Sequence, residues 1–205
     1  STLGDVTALV DPVREIIHSA TGELAWHVAD SVVVADSERT QAVIGFAANT
    51  AFTTGAFEIA FGETTFASLI LTSLDDAPLA VSRRVLVTAL ARDRQTGARY
   101  SVNRRFLEAV GGPPLLMEPV QSRIRLRSGT IRSARALRPD GVPVGGQVDH
   151  DAQTVRIDGR SATYLYVLEI ERDGVVAPSP TATAEIEATP SATPSPAAPS
   201  PERTR

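Results

Sequence analysis

The sequence predicts an all-β protein, folded as an antiparallel β-sandwich with Greek-key or jelly-roll-like connections. Short strand-like segments follow one another at close intervals, separated by Gly, Pro and Asp turn signals, with no convincing helix between them. Most segments alternate apolar and polar residues, as half-buried strands do. Two neighbouring runs, 65–75 and 84–92, are apolar throughout, which is typical of central strands covered on both faces.

The elements follow in chain order. Residues 1–19 are predicted to be a connector that packs on the domain; Asp11 and Pro12 fit a helix start, and 13–17 fits an edge strand equally well. Strands are predicted at 23–28, 31–35, 41–46, 55–61, 65–75, 84–92, 123–127, 130–137, 142–148, 154–157 and 163–170. The segment 93–112 is the longest one without a strand pattern. Loops of that length are usually functional or docked on a neighbour.

A composition change near residue 174 marks the predicted end of the sandwich domain, which spans 20–173. Residues 174–205 are rich in Pro, Thr, Ser and Ala and poor in large apolar side chains. Such a segment buries too little surface to offset its conformational entropy, so we expect a disordered tail or extended linker. Tracts of this kind often tether modules outside cells, and we therefore expect an extracellular or cell-surface protein.

Composition narrows the function classes. The chain has 205 residues, 42% of them hydrophobic, which is enough for one packed domain and a tail. Its net charge of −4 argues against nucleic acid as a partner, and its 20 basic residues are all Arg. Without Cys it has no disulfide, thiolate metal site or thiol nucleophile. No apolar run reaches the roughly 18 residues of a membrane span, and no cofactor motif is found.

Candidate catalytic residues are few. The chain has three histidines, His18, His27 and His150, but no G-x-S-x-G nucleophile motif with which a histidine could act as the base. No catalytic histidine is therefore predicted. Glu118 is the best single candidate for a general acid, because it lies between Met117 and Pro119 in an apolar segment. A carboxylate there needs a partner, and a structural ion pair with an arginine is favoured over catalysis.

Two charged groups invite ligand hypotheses. Asp149, Asp151 and Asp158 supply oxygen atoms that suit Ca²⁺, but their spacing matches no calcium-loop template, and an exposed acidic turn is favoured. The predicted strands after residue 122 carry a row of arginines that could bind phosphate or an acidic sugar. A solvent-exposed sheet face, or a contact surface for an acidic neighbouring domain, is favoured. We call these residues the arginine stripe: Arg123, Arg125, Arg127, Arg132, Arg135, Arg138 and Arg156.

Aromatic rings are sparse for a carbohydrate-binding face. By residue type, four side chains qualify: Trp26, Tyr100, Tyr164 and Tyr166. Trp26 and Tyr100 are kept as candidate carbohydrate contacts, although a core position is favoured for Trp26.

Several segments together resemble the C-terminal β-sandwich domain that follows the (β/α)8 barrel in some bacterial glycoside hydrolases. They are TGELAW at 21–26, RTQAVIGF at 39–46, FASLILTSLD at 66–75, LVTALAR at 86–92 and GPPLLMEPV at 112–120. Their order and spacing agree over about 17–171. The resemblance implies that the catalytic carboxylates lie on the barrel and that the sandwich is an accessory domain. The family's loop near 93–112 often carries a Trp-Asn pair, and here Tyr100 and Asn103 stand nearby.

These observations predict a non-catalytic accessory module of an extracellular carbohydrate-active protein. It would pack on, or present, a neighbouring domain or subunit, with weak polysaccharide contact through Trp26, Tyr100 and Asn103. A structural protein of a cell-surface filament or envelope layer is the alternative. A small stand-alone lectin is a third hypothesis.

Overall fold

The strands alternate with turns at the predicted Gly, Pro and Asp positions. The computed structural model describes residues 9–146 and 148–172. The strands are, in chain order, β1 (Val10–Asp11), β2 (Ile16–His18), β3 (Leu24–His27), β4 (Val32–Asp36), β5 (Thr40–Gly45), β6 (Ala51–Thr53), β7 (Phe57–Phe61), β8 (Ala67–Ser73), β9 (Arg84–Leu90), β10 (Asp93–Thr96), β11 (Arg99–Tyr100), β12 (Leu107–Ala109), β13 (Gly112–Met117), β14 (Ser122–Leu126), β15 (Thr130–Leu137), β16 (Thr154–Ile157) and β17 (Leu165–Glu171). The predicted tail at 174–205 and residues 1–8 lie outside the described residues.

Nine strands form the larger sheet, in the order β1-β2-β3-β4-β5-β8-β9-β17-β15. A smaller sheet has the order β16-β14-β7-β6, and the strand pairs in both sheets are antiparallel. The chain passes repeatedly between the two sheets, for example from β5 to β6 and from β14 to β15. The prediction of an all-β antiparallel sandwich is confirmed.

Alternate residues of both sheets meet in one core. On β14 the burial alternates, with Ile124 and Leu126 inside and the arginines outside, as predicted. Leu69 on β8 and Leu168 on β17 face them from the larger sheet, and all belong to one buried cluster. Burying a side chain of this size contributes about 1.5–3 kcal/mol, so this cluster is the main source of stability.

Polar contacts fasten the smaller sheet to the larger one. The turn at Thr54, Gly55 and Ala56 approaches strands β4 and β5 of the larger sheet. The Asp36 carboxylate accepts the Gly55 N–H at 2.9 Å, and the Gln41 side-chain oxygen accepts the Thr54 hydroxyl at 2.7 Å. Gln41 and Thr54 are buried, so the bond between them satisfies groups that water does not reach.

Three expectations need correction. The apolar runs form the neighbouring strands β8 and β9, but only one face of each is fully buried, and no layer of described residues covers the other. The segment 93–112 is not a plain loop, because it forms strands β10 to β12 and the start of β13. Segment 142–148 forms no strand among its described residues: Leu137 and Pro143 form an isolated bridge, and Val144 and Val148 donate N–H groups to carbonyls of β15. Neither alternative holds over the whole of 13–17: residues 12–15 form a turn in which the Asp11 carboxylate accepts the Val13 and Arg14 N–H groups, and strands β1 and β2 on either side extend the larger sheet.

Candidate functional site

The outer face of the larger sheet carries a continuous row of mostly apolar side chains. Backbone register aligns one residue from each of seven neighbouring strands, β1 to β5, β8 and β9. We call these residues the apolar row: Val10, Ile17, Trp26, Val33, Ile44, Ser68 and Leu90. Side chains alternate between the two faces of a strand, so this row points away from the core that their chain neighbours line.

The apolar row is accessible to solvent. The relative exposure of Trp26 is 47%, and Ile44 and Leu90 are each exposed to 37%. Beside the row, Phe46 is 57% exposed and packs edge-to-face against Phe66, with ring centroids 5.4 Å apart. An exposed apolar surface of this kind is a candidate interaction site, because water contact with it is unfavourable.

A second exposed region is built from two β-ribbons. Strands β10 and β13 pair as one ribbon, and β11 and β12 pair as the other. Between them lies a groove of about 740 Å³, lined by Arg94, Tyr100, Arg104 and the Arg92–Glu118 pair, among others. At the ribbon tip Val102 and Phe106 are exposed. Val102 also lines the groove, so the ribbons combine a charged groove with an apolar tip that continues into it.

The predicted carbohydrate residues fall into two places. Trp26 lies on the outer face of the larger sheet, so the preference for a core position was wrong; its strand neighbours Ala25 and His27 are the more buried residues. Tyr100 lines the ribbon groove. The Asn103 side-chain oxygen accepts the Ser101 hydroxyl at 2.8 Å and the Arg105 N–H at 3.1 Å, which makes it part of the ribbon turn. No hydrogen bond or ring contact among the described residues joins Trp26 to the other two.

The remaining tyrosines differ in exposure. Tyr166 is buried in the core, donates its hydroxyl to the Thr163 carbonyl at 3.0 Å, and has its pKa raised by burial. It is therefore not a platform for a sugar. Tyr164 lines a mainly apolar cavity of about 430 Å³ beside Leu90 and Met117.

Glu118 has the arginine partner that its sequence context predicted. Its carboxylate accepts two hydrogen bonds from the Arg92 guanidinium, at 2.8 and 3.2 Å. These hydrogen bonds hold the pKa of Glu118 below its usual value, against a smaller effect of burial. A general acid needs a raised pKa, so this geometry favours the structural ion pair over catalysis.

The three acidic residues considered for calcium are engaged elsewhere. Asp149 pairs with Arg156 at 3.2 Å, and Asp158 pairs with Arg160 at 3.0 Å. Asp151 accepts the backbone N–H groups of the turn that follows it, which lowers its pKa. No three metal-binding side chains converge within 9–146 and 148–172. This arrangement favours the exposed acidic turn.

The arginine stripe is largely paired. Arg125 meets Glu58 at 3.2 Å, and Arg138 meets Asp140 at 2.6 Å. Arg132 pairs with Glu171, and Arg127 donates to the carbonyls of the 54–55 turn. Exposed pairs of this kind add little stability, but they neutralise the stripe.

The histidines stand apart. His27 contacts the Phe52 ring edge-to-face at 5.9 Å, and the His150 Nδ1 atom lies 2.9 Å from the Val148 carbonyl. His18 is exposed on β2. Neither contact joins a histidine to a second titratable side chain.

Sequence reasoning missed the apolar row, although a signal for it was present. Strands β8 and β9 carry apolar residues at both alternate positions, and this pattern was interpreted as two covered faces. The same pattern is equally well explained by a strand with one face in the core and one apolar face on the surface.

Two broader findings complete the description. No helix within the described residues has the length and apolar character to cross a membrane. Comparison of the chain with known protein families, with curated proteins and with solved structures found no match.

Proposed function

We propose that this chain is a non-catalytic β-sandwich module of an extracellular carbohydrate-active protein, and that it packs on a neighbouring folded domain or subunit. The observation that carries the proposal is the apolar row on the outer face of the larger sheet. It runs across seven strands without a charged residue.

The dimensions of the apolar row suit a protein contact. Six strand spacings of about 4.8 Å give a length of roughly 29 Å. A stable interface takes about 800 Å² from each partner, so a partner seated along this length would also cover side chains on either side of the row, such as Phe46. Trp26 and Phe46 are aromatic anchors of the type that dominates binding energy, and the aliphatic residues around them exclude water. A sugar-binding face instead needs polar groups among its rings, and these are sparse here.

Two features of the sequence support the proposal that the chain belongs to an extracellular carbohydrate-active protein. The five segments at 21–26, 39–46, 66–75, 86–92 and 112–120 resemble an accessory domain that packs on a catalytic barrel. The Pro/Thr-rich composition of 174–205 is typical of linkers in secreted multidomain proteins. Together they favour an extracellular module whose partner performs the chemistry.

The sheet edges favour docking through the face over filament growth through strand addition. Edge strands β1, β6 and β16 are short, and β15 is covered because Val144 and Val148 donate N–H groups to its carbonyls at 2.8 and 3.1 Å. Short or covered edges prevent strand addition. An envelope or filament role would therefore use copies of the chain stacked on the apolar row.

Site-specific photo-cross-linking in the natural gene product tests the proposal. A photoreactive phenylalanine analogue replaces Phe46 beside the row, or Arg123 on the smaller sheet as the control. We expect cross-links from position 46 to one surface of a neighbouring domain or subunit, and none from position 123. Equal cross-linking from both positions would contradict the proposal, and cross-links only to a second copy would favour the assembly alternative.

A second experiment tests the proposal that the chain is not catalytic. The purified chain is incubated with soluble polysaccharides, and the release of reducing ends is measured. We expect no turnover, since two hydrogen bonds from Arg92 engage the Glu118 carboxylate and lower its pKa, the opposite of what a general acid needs. Hydrolysis at an enzyme-like rate would overturn this assignment.

A further inference from the structure

We propose that the groove between the two β-ribbons binds an acidic glycan, a polysaccharide that carries carboxylates on its sugar rings. The groove holds the two chemical features that such a ligand needs: guanidinium groups for the carboxylates and an aromatic face for the ring. This site lies on the ribbons, and the binding of a glycan there does not depend on the proposed packing of the apolar row.

The first feature is uncompensated positive charge. Arg94 and Arg104 line the groove, and neither has an ion pair or side-chain hydrogen bond with any described residue. Arg99 and Arg105 on the same ribbons are likewise unpaired within the described part of the chain. The arginine stripe differs, because most of its members meet an acid or a carbonyl on a neighbouring segment.

The net charge of the groove is positive on an acidic protein. Its ionised lining consists of Arg92, Arg94 and Arg104 against Asp93 and Glu118, three charges against two, while the whole chain carries −4. Arg92 and Glu118 neutralise each other through their two hydrogen bonds. Planar guanidinium forks bind carboxylates with two parallel hydrogen bonds, so Arg94 and Arg104 are the groups that select the ligand.

The second feature is a ring held at the groove wall. Tyr100 is 52% exposed, and its strand leads into a turn that its own hydrogen bonds keep in place. Ser101 donates its N–H to the Phe106 carbonyl at 2.9 Å, and its hydroxyl accepts the Phe106 N–H at 3.0 Å. Asn103 closes the same turn. Asn103 is thus a positioning residue, and Tyr100 supplies the apolar face on which a sugar ring stacks.

The shape of the site favours a glycan over a lipid surface. The groove has a volume typical of ligand sites, and its lining combines arginines, carboxylates, Tyr100 and Ser101 with apolar side chains such as Val102 and Met117. A lipid surface would instead meet the ribbon tip, where Phe106 is exposed outside the groove lining. Substitution of Phe106 therefore tests the tip without changing a residue that lines the groove.

Binding of sodium polygalacturonate and sodium alginate is measured by isothermal titration at low ionic strength, with fully methyl-esterified polygalacturonate as the uncharged ligand control. We expect binding to the acid forms, loss of binding to the ester, and weakening by added salt. Arg94→Gln, Arg104→Gln and Tyr100→Ala should each weaken binding about tenfold. Arg123→Gln, an exposed arginine of the smaller sheet, is the matched control and should leave affinity unchanged.

Several outcomes would overturn the inference. These are binding of the ester as tightly as the acid, affinity unchanged in Arg94→Gln and Arg104→Gln, or no binding of either polyuronate. Binding to phosphatidylglycerol vesicles that Phe106→Ser abolishes, without polyuronate binding, would assign the ribbons to a lipid surface. All the substituted side chains are exposed, and an unchanged thermal midpoint confirms the fold of each variant.

Discussion

At the residue scale, Asp75 is the polar centre of the connection between β8 and β9. Its carboxylate accepts the Ser73 hydroxyl at 2.9 Å, the Ser82 hydroxyl at 2.7 Å and the Arg83 N–H at 2.6 Å. Burial alone would raise the pKa of Asp75, but these hydrogen bonds to the ionised form together outweigh it and lower the pKa. The charged carboxylate therefore organises this turn.

This pKa shift predicts an acid-dependent part of the stability. A carboxyl group whose pKa is lower in the folded state stabilises the fold above its unfolded pKa of about 3.9, and this contribution is lost as pH falls through the folded value. Urea unfolding followed from pH 7 to pH 2.5 should show the loss. Asp75→Asn should reduce the unfolding free energy at pH 7 by about 2 kcal/mol and flatten the acid limb.

Asp76, the exposed neighbour, provides the control for that prediction. Asp76→Asn removes the same charge from an exposed ion pair with Arg39 and should change the free energy of unfolding by less than about 0.5 kcal/mol. Equal effects of the two substitutions would show that the hydrogen bonds at Asp75 are not the cause.

Arg172 is a buried charge that joins three turns near the end of β17. It donates to the Leu79 carbonyl at 2.8 Å, to the Ser82 carbonyl at 3.0 Å and to the Ser128 carbonyl at 2.6 Å. Burial lowers its pKa, and the nearby Asp75 opposes that shift. The guanidinium thus satisfies carbonyl groups that would otherwise lack partners.

Arg172→Met should cost about 3 kcal/mol of unfolding free energy, because the apolar stem is kept while several carbonyls lose their donor. Chemical denaturation at pH 7 measures the change. Arg135→Met, at an exposed position of the same sheet, should alter stability by less than about 0.5 kcal/mol. A neutral result for Arg172→Met would mean that water replaces the guanidinium without penalty.

At the element scale, the close approach of β4 and β5 depends on Gly45. Its φ is 146°, and a Cβ atom there would lie 2.3 Å from the Ser31 carbonyl oxygen and 2.7 Å from the Val32 Cα. Both are backbone atoms, so a side chain would force the two strands apart. Glycine is required here for space as well as for conformation.

Gly45→Ala should destabilise the protein by more than about 2 kcal/mol, measured as the shift of the denaturation midpoint at constant slope. Gly112→Ala on β13 is the matched control, since a Cβ atom there meets nothing within 4 Å. If both variants lost the same stability, the contact with Ser31 would not explain the effect.

At the scale of the whole molecule, the single core predicts that the two sheets unfold together. Leu69 of the larger sheet and Ile124 of the smaller one belong to the same buried cluster. Leu69→Ala and Ile124→Ala should each lower the unfolding free energy by about 2–5 kcal/mol. In each variant, far-ultraviolet circular dichroism and the fluorescence of Trp26 should report one coincident transition.

Ile44→Ala, on the apolar row, is the control and should cost clearly less, because its side chain is already partly exposed. Separate transitions, with the Trp26 signal unaffected by Ile124→Ala, would contradict a shared core. Trp26 suits this measurement because it is the one tryptophan of the chain and lies on the larger sheet.

The alternation of apolar and polar residues predicted most strands and their inward-facing residues, but it did not predict what covers the outer face of the larger sheet. Alternation placed Ile124 and Leu126 inside and their arginine neighbours outside, because the period of a strand alone decides that. The exposure of Trp26 was not predictable, since it depends on whether a second layer covers the outer face. The ribbons of 93–117 were missed because they are mostly exposed and lack apolar alternation. The sequence predicted that Glu118 pairs with an arginine. It could not identify that arginine as Arg92, because the two residues are brought together by the pairing of β10 with β13.

The alternation along β8 also has an evolutionary consequence. Leu69 and Leu71 face the core, while Ser68 and Ile70 between them face outward. Packing in the core constrains the inward-facing residues, whereas contact with a covering surface constrains the outward-facing ones. Substitutions can therefore accumulate in one set independently of the other. Relatives of this chain that change partners should therefore differ at every second residue of β3, β4, β5, β8 and β9, while the positions between them keep their size and apolar character.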